Sequence, residues 1–209
     1  SNVFSESIKS FKNYFKSDTF MFIHRHDDGS NEFIQQACKK LNIESYILKE
    51  IDFDTRGQAE TVALGLENLN KEQMKESIYI FNIDSFLLNF KKPSTNFLKN
   101  TSGYLELFNG DGDHWSFAKV EGDFVIKTTE KIRISNLCSN GLYYFSTANL
   151  FMDVFNELTQ INKYKELYIA PMYNILIRRK FIVKHCLINK REILFCGTPS
   201  EYKFILNSR

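Results

Sequence analysis

Five stretches of the chain combine residue types that can do chemistry. Thr55-Arg56-Gly57-Gln58-Ala59-Glu60-Thr61 sets a glycine at the head of a helical pattern, where a flat ligand can lie close to the backbone. Gln58 follows, and its amide both donates and accepts hydrogen bonds, as the edge of a nucleobase does. The same residues also make an ordinary loop-to-helix cap, with Thr55 at capping-box distance from Gln58. Asp84 ends the apolar run over residues 78–83, and a carboxylate just past a buried strand can hold Mg²⁺ beside a nucleotide phosphate. As a turn or cap residue before Phe86 it would need no ligand. Glu130-Lys131 pairs a carboxylate with an ammonium that can neutralise a phosphate oxygen, and equally describes a solvated surface pair. Asp111 and Asp113, with His114 beside them, offer donors to a metal, although Asn-Gly-Asp-Gly-Asp is first a turn composition. His24 and His26, with Asp27 close by, stand at a strand end and read as part of its exit loop. No Gly-x-Ser-x-Gly elbow, His-Glu-x-x-His helix, Walker loop or Cys/His nucleophile setting occurs, which removes most support for hydrolase and ATPase chemistry.

The elements that must position these groups follow from the apolar spacing. Ile8, Phe11 and Phe15 predict an amphipathic helix over residues 5–15, followed by a short strand at 20–23, a polar loop at 24–30, a helix at 31–41 and a strand at 46–48. A helix over 59–69 starts at the Thr55–Gln58 cap, and the continuous run 78–83 reads as an interior strand buried on both faces. Short strands at 104–108, 115–120, 124–127 and 142–145 alternate with turn residues as a meander. Helices follow at 147–158, capped by Ser146, and at 167–177, with a kink expected at Pro171. Strands at 181–188 and 192–196 lead to a helix opened by Thr198-Pro199-Ser200-Glu201. Helix and strand alternate, so a sheet covered by helices is expected, as one α/β domain.

Bulk properties narrow the functions further. The 209 residues carry 27 Lys and Arg against 25 Asp and Glu, and a net charge of +2 gives no field that would favour nucleic acid or an anionic membrane. Hydrophobic residues at 43% and charged ones at 25% exclude a disordered chain. No apolar run reaches the length of a membrane helix, and the start has no signal-peptide pattern. Cys38, Cys138, Cys186 and Cys196 are scattered without zinc-ligand spacing and read as reduced thiols of a cytoplasmic protein.

Taken in order, these segments resemble the nucleotidyltransferases that join a sugar phosphate or similar phosphorylated small molecule to a nucleoside monophosphate, in particular the branch of capsule and surface-polysaccharide synthesis. Residues 55–61 resemble the family's base-reading segment, and Phe81-Asn82-Ile83-Asp84 its strand ending in a metal-binding Asp. Glu130-Lys131 resembles the pair whose lysine meets the acceptor phosphate, and Asn140-Gly141-Leu142-Tyr143-Tyr144-Phe145 is similar to the glycine-led strand beside the acceptor. Glu166-Leu167-Tyr168-Ile169-Ala170-Pro171 and Gly197-Thr198-Pro199 match the family's late segments. The resemblance implies an α/β fold: a Rossmann-like three-layer nucleotidyltransferase domain with a mixed, mainly parallel central sheet and a small β-meander, spanning 1–209 as a single domain. It implies in-line attack of an acceptor phosphate oxygen on the α-phosphorus of a nucleoside triphosphate, with release of pyrophosphate and Mg²⁺ as cofactor. Asp84 and Lys131 would be catalytic, Thr55, Gly57 and Gln58 would bind the nucleotide, and Glu130, Gly141, Trp115 and Tyr143 would bind the acceptor. Asp84 would ligate the metal, with Asp113 a candidate second ligand because Phe195-Cys196 stands where relatives carry an Asp. His114 and Tyr173 join Trp115 and Tyr143 as aromatic candidates to line the acceptor. No counterpart of the family's first strand and Gly-rich phosphate loop precedes Phe4, so the resemblance implies an N-terminally truncated domain with weak or no activity as it stands. Partners implied are the triphosphate and the phosphorylated acceptor in the cytoplasm, without nucleic acid or membrane insertion, and a homo-oligomer stays open. Alternatives are a nucleotide-sugar-dependent glycosyltransferase, for which Asn82-Ile83-Asp84 is half of an Asp-x-Asp, and a non-catalytic nucleotide- or sugar-binding domain.

Overall fold

The structure, a computed structural model, describes residues 2–161, 166–198, 201 and 203. The chain begins with α1 (Val3–Ile8), a 3₁₀ segment (Lys9–Tyr14), β1 (Thr19–Arg25), α2 (Ser30–Leu41), β2 (Ser45–Ile51) and α3 (Gln58–Leu66). Next come β3 (Ile78–Ile80), β4 (Ser85–Leu87), α4 (Thr95–Leu98), β5 (Gly103–Asn109), β6 (Ser116–Glu121), β7 (Phe124–Glu130) and β8 (Leu137–Phe145). It ends with α5 (Ala148–Ile161), α6 (Ala170–Arg178), β9 (Val183–Leu187) and β10 (Ile193–Phe195). Two units divide the chain: Ser1–Thr55 with Ile83–Phe90 and Glu192–Arg209, and Arg56–Asn82 with Lys91–Arg191.

In the first unit, β1 and β2 pair in parallel from Thr19↔Ser45 to Arg25↔Ile51, and β4 pairs antiparallel with β10. Ile8, Phe15, Ile34, Cys38 and Ile43 form its core, with Phe4, Phe20 and Phe22 against them. The helix expected over 5–15 divides after Ile8 into a 3₁₀ segment, with Phe11 off helical geometry at φ −105°. Two serines tie this stretch to β4. Ser7 Oγ donates to Ser85 O at 2.8 Å and Ser10 Oγ accepts from Leu87 N–H at 2.9 Å, and a repeat of three puts both hydroxyls over the same short strand. Strand β1 continues to Arg25, so His24 belongs to the strand and only His26 to the exit loop.

The second unit is built on a six-stranded sheet ordered β3-β8-β5-β9-β7-β6. The fold class is the expected one, Rossmann-like with a mixed sheet and small additional β elements, but among the described residues parallel pairing, expected to dominate, is confined to β1–β2 and β5–β9, and of the strands expected as a meander only β6 and β7 pair in chain order. Within this sheet β5–β9 is parallel, the other ladders are antiparallel, and β6 also touches β8 at Phe117↔Cys138. One sheet face, through Leu105, Leu107, Tyr143 and Phe145, shares a core with Phe151, Val154 and Leu158 of α5 and Met172, Tyr173 and Leu176 of α6. Tyr173, expected at the acceptor, is fully buried here. Its hydroxyl donates to Tyr144 O at 2.9 Å and accepts from Tyr144 N–H at 3.0 Å, tying α6 to β8. The ring fits because Gly103 has no side chain: a Cβ there would stand 2.6 Å from Tyr173 Cε1.

Four local expectations are corrected. The run 78–83 is strand only over Ile78–Ile80, and β3 is an end strand of its sheet rather than an interior one, with Ile83 54% exposed. Pro171 does not kink a helix: it stands in the first turn of α6, where a missing N–H costs no hydrogen bond. Gly57, not Thr55, is the N-cap of α3. Strand β8 starts at Leu137 and absorbs Asn140-Gly141 through an irregular register between Leu105 and Leu107 of β5. At the C-terminus, Thr198 and Glu201 form the expected capping box, whereas Pro199 and Ser200 lie outside the described residues.

Candidate active site

Gly57 is positioned by backbone. Its φ of +134° is a conformation that L side chains rarely adopt, and an added Cβ would meet Leu167 O at 2.7 Å. Two hydrogen bonds hold this approach: Leu167 N–H donates to Arg56 O at 2.6 Å, and Ala59 N–H donates to Leu167 O at 3.0 Å. Just upstream of this N-cap, the Glu60 carboxylate accepts from the Arg56 backbone N–H at 2.5 Å and from Arg56 Nε at 2.8 Å. Gln58 then points its amide at Asn82, with Nε2 donating to Asn82 Oδ1 at 2.5 Å. Asn82 also lies against Gly141, where an added Cβ would be 3.9 Å from Asn82 Nδ2.

Glu130 and Lys131 diverge at the end of β7. Glu130 turns inward and accepts from Ser116 Oγ, whose oxygen accepts in turn from the Tyr143 hydroxyl at 3.2 Å. Burial pushes the Glu130 carboxyl above its ordinary range, with Ser116 and Lys131 opposing the shift. Lys131 adopts φ +55°, its N–H donating to Trp115 O at 2.9 Å, and its ammonium reaches Tyr168 Oη at 2.6 Å. Tyr168 donates to Glu166, so an exposed chain runs from ammonium to phenol to carboxylate. The hydrogen bond to Tyr168 holds the Lys131 ammonium above its ordinary value. Trp115 is half-buried, its indole N–H donating to Asp111 O at 2.8 Å, and Tyr143 is 5% exposed.

Asp84 belongs to the other unit. Its backbone oxygen accepts from Cys196 N–H at 2.7 Å, which sets Asp84 beside the β10 exit. Two carboxylates come near Gly197: a Cβ added there would stand 3.7 Å from Asp84 Oδ2 and 3.9 Å from Glu201 Oε2. The Cys196 thiol is pushed up by burial and then by these two carboxylates. Asp113 has a different neighbour. Arg133 Nε donates to its Oδ1 at 3.2 Å while the same guanidinium binds Gly110 O, Gly112 O and Asn136 Oδ1, so Arg133 organises the acidic turn. His24 and His26 are tied up by neighbours: His24 Nε2 bonds Asn31 Oδ1 at 3.1 Å, and His26 pairs with Glu50.

The sequence candidates therefore separate into groups. Gln58 is joined to Asn82, which lies beside Gly141, and Glu130 is joined through Ser116 to Tyr143. Lys131 is joined to Tyr168, and Asp84 lies with Glu201 at Gly197. Asn82, Ser116, Tyr168 and Glu201 were not singled out as functional from sequence. For Glu201 a signal existed, since a carboxylate that closes a capping box beside a glycine has its place fixed.

No family model matches the chain, and no curated protein matches it in sequence. Among solved structures, the inositol-1-phosphate CTP transferase from T. maritima is 15% identical with a TM-score of 0.66, covering 97% of this chain and 82% of that one. A UDP-glucose pyrophosphorylase complexed with UDP-glucose is 13% identical with a TM-score of 0.69, covering 100% and 88%. At these identities the likeness is one of fold. The nucleoside-diphosphate-sugar pyrophosphorylase from Vibrio cholerae RC9 is 42% identical with a TM-score of 0.92, covering 99% of this chain and 88% of that one. On that relationship, which spans the Gly57, Glu130-Lys131 and Asp84 segments alike, the chain belongs to the sugar-phosphate nucleotidyltransferase superfamily as a nucleoside-diphosphate-sugar pyrophosphorylase-like member.

Proposed function

We propose that the chain transfers a nucleoside monophosphate from a nucleoside triphosphate to the phosphate of a sugar phosphate or similar small molecule, in the cytoplasm, for surface-polysaccharide synthesis. The relationship to the Vibrio pyrophosphorylase over nearly the whole chain is the observation that supports this reading most. An acceptor phosphate oxygen forms a bond to the α-phosphorus, the bond from that phosphorus to the bridging oxygen breaks, and pyrophosphate leaves with the electron pair. Such transfers are driven by positioning and by neutralising phosphate charge. Gly57 and Gln58 would hold the base. Lys131, extended along Tyr168, would carry its positive charge to the acceptor phosphate. Glu130, with Tyr143 behind Ser116, would accept a hydrogen bond from an acceptor hydroxyl, with Gly141 and Trp115 beside that group.

The residues around Gly197 fit Mg²⁺. Asp84 and Glu201 present two carboxylates to the space a Cβ would fill, an all-oxygen donor set suited to a hard cation. Among the described residues no group of three or more His, Cys, Asp and Glu side chains could hold a metal, and Mg²⁺ commonly takes one or two carboxylates with the remaining ligands from phosphate and water. Bound there, Mg²⁺ would neutralise charge on the nucleotide phosphates. Incubating the protein with Mg²⁺, each nucleoside triphosphate and a set of sugar 1-phosphates, and measuring pyrophosphate, tests the proposal. Pyrophosphate should form with a restricted set of pairs. Absence of both pyrophosphate release and calorimetric nucleotide binding would overturn it.

A further inference from the structure

We propose that Asn82 is a positioning residue that sets which pyrimidine Gln58 accepts, an inference that rests on the reading of Gln58 as the base-contacting residue. An isolated glutamine amide cannot choose between a uracil and a cytosine edge. Uracil offers a donor at N3 and an acceptor at O4, cytosine the reverse, and a half-turn of the amide converts one complementary face into the other. The choice needs something that holds the amide one way round. Asn82 does this: its Oδ1 accepts from Gln58 Nε2 at 2.5 Å. A flipped Gln58 would set its own oxygen against that acceptor, two lone pairs facing without a proton between them.

The partner lies close to the backbone of β8. Asn82 sits two residues past the end of β3, and a Cβ added at Gly141 would stand 3.9 Å from its Nδ2. Gly141 has φ +88° inside β8, next to Asn140, whose Nδ2 donates to the buried carboxylate of Glu106 at 2.8 Å. Gln58 enters the pair from the first turn of α3, fixed by the contact of Gly57 with the Leu167 backbone. Gln58 thus stands in the first turn of α3 and Asn82 in the loop just past β3, both within one unit. A Gln58 amide held this way round by Asn82 leaves one order of donor and acceptor for the base. Discrimination of about 10- to 100-fold between the wrong and right pyrimidine follows from one bidentate contact of this kind.

The test measures calorimetric affinities of UTP and CTP, with Mg²⁺, for the wild type, Asn82→Ala, Asn82→Asp and Gln58→Ala. The wild type should favour one pyrimidine by about tenfold or more, and Asn82→Ala should bring the two within about threefold. Asn82→Asp should keep the wild-type ratio even if both affinities fall, because a carboxylate can only accept and so holds Nε2 in the observed orientation. An unchanged ratio in Asn82→Ala, a lost ratio in Asn82→Asp, or a wild type indifferent to the pyrimidine each overturns the proposal. Gln58→Ala separates the two levels of argument: if it leaves every affinity unchanged, the reading of Gln58 fails, whereas a loss there with an unaffected Asn82→Ala removes only the role of Asn82.

Discussion

Glu130 and Asp84 are both carboxylates singled out by sequence, yet the unit around each treats it differently. Glu130 is partly withdrawn from water at the end of β7, accepts from Ser116, and has its carboxyl pushed above the ordinary range by that burial. Asp84 lies exposed in the turn just before the β4–β10 pair, its backbone oxygen bound by Cys196 N–H. The difference teaches that similar side chains are prepared for different work by their surroundings. A desolvated carboxylate suits directional hydrogen bonding to a neutral hydroxyl, while a hydrated one can exchange its water for a cation.

The sharpest way to break this contrast is Asp84→Asn. Turnover should fall about 10³-fold, because a ligand to the charge-neutralising cation is lost. An exposed side chain contributes little to the fold, so thermal unfolding should be unchanged within about 1 °C. Retained pyrophosphate release, or a large drop in Tm, would remove Asp84 from the metal. Gly57→Ala should do the opposite, destabilising the protein by about 3 kcal/mol in urea unfolding, since the methyl both opposes the positive φ and meets the Leu167 carbonyl. A cost below about 1 kcal/mol would mean that the Leu167 segment yields easily.

Glu201→Gln sharpens the picture on the exposed side. Glutamine can still accept from Thr198, so that pairing is preserved while the charge goes. The Mg²⁺ concentration for half-maximal pyrophosphate release should rise roughly fivefold, and an unaltered requirement would leave Asp84 without this neighbour's help. The smallest effect is expected at Glu130. A raised folded-state pKa means that this group's contribution is complete below its unfolded value and declines as pH rises through the folded one. Glu130→Gln should therefore melt about 2 °C above wild type near about pH 8, and the gap should close towards about pH 4, where the wild-type carboxyl is protonated as well. Equal melting curves at both pH values would show that Ser116 compensates the burial in full.

The residue types that carry chemistry were legible because each is unusual where it stands: a carboxylate ending an apolar run, an amide after a glycine, an acid and a base side by side. Their partners were not. Asn82 is concealed within the run 78–83, whose apolar neighbours read as strand, although Ile83 is exposed and the ladder with β8 stops at Ile80. Tyr168 looks like one more aromatic in a chain rich in them, and its role depends on an ammonium 37 positions away. The α/β alternation and the helix over 31–41 followed from spacing alone, since both depend on local periodicity. The first helical stretch and the short β4 are joined through Ser7 and Ser10, a contact across 77 or more residues that no local window contains.

The fit between Gly103 and Tyr173 reaches beyond stability. A ring 2.6 Å from where a methyl would begin, with its hydroxyl bridged to the Tyr144 backbone, makes each residue the condition for the other. Any side chain at Gly103 would displace the ring, and a smaller residue at position 173 would leave both a void and unsatisfied Tyr144 backbone groups. Across related chains the two positions should therefore vary together or not at all, and the pair forms a historical constraint on how far α6 can drift from β8.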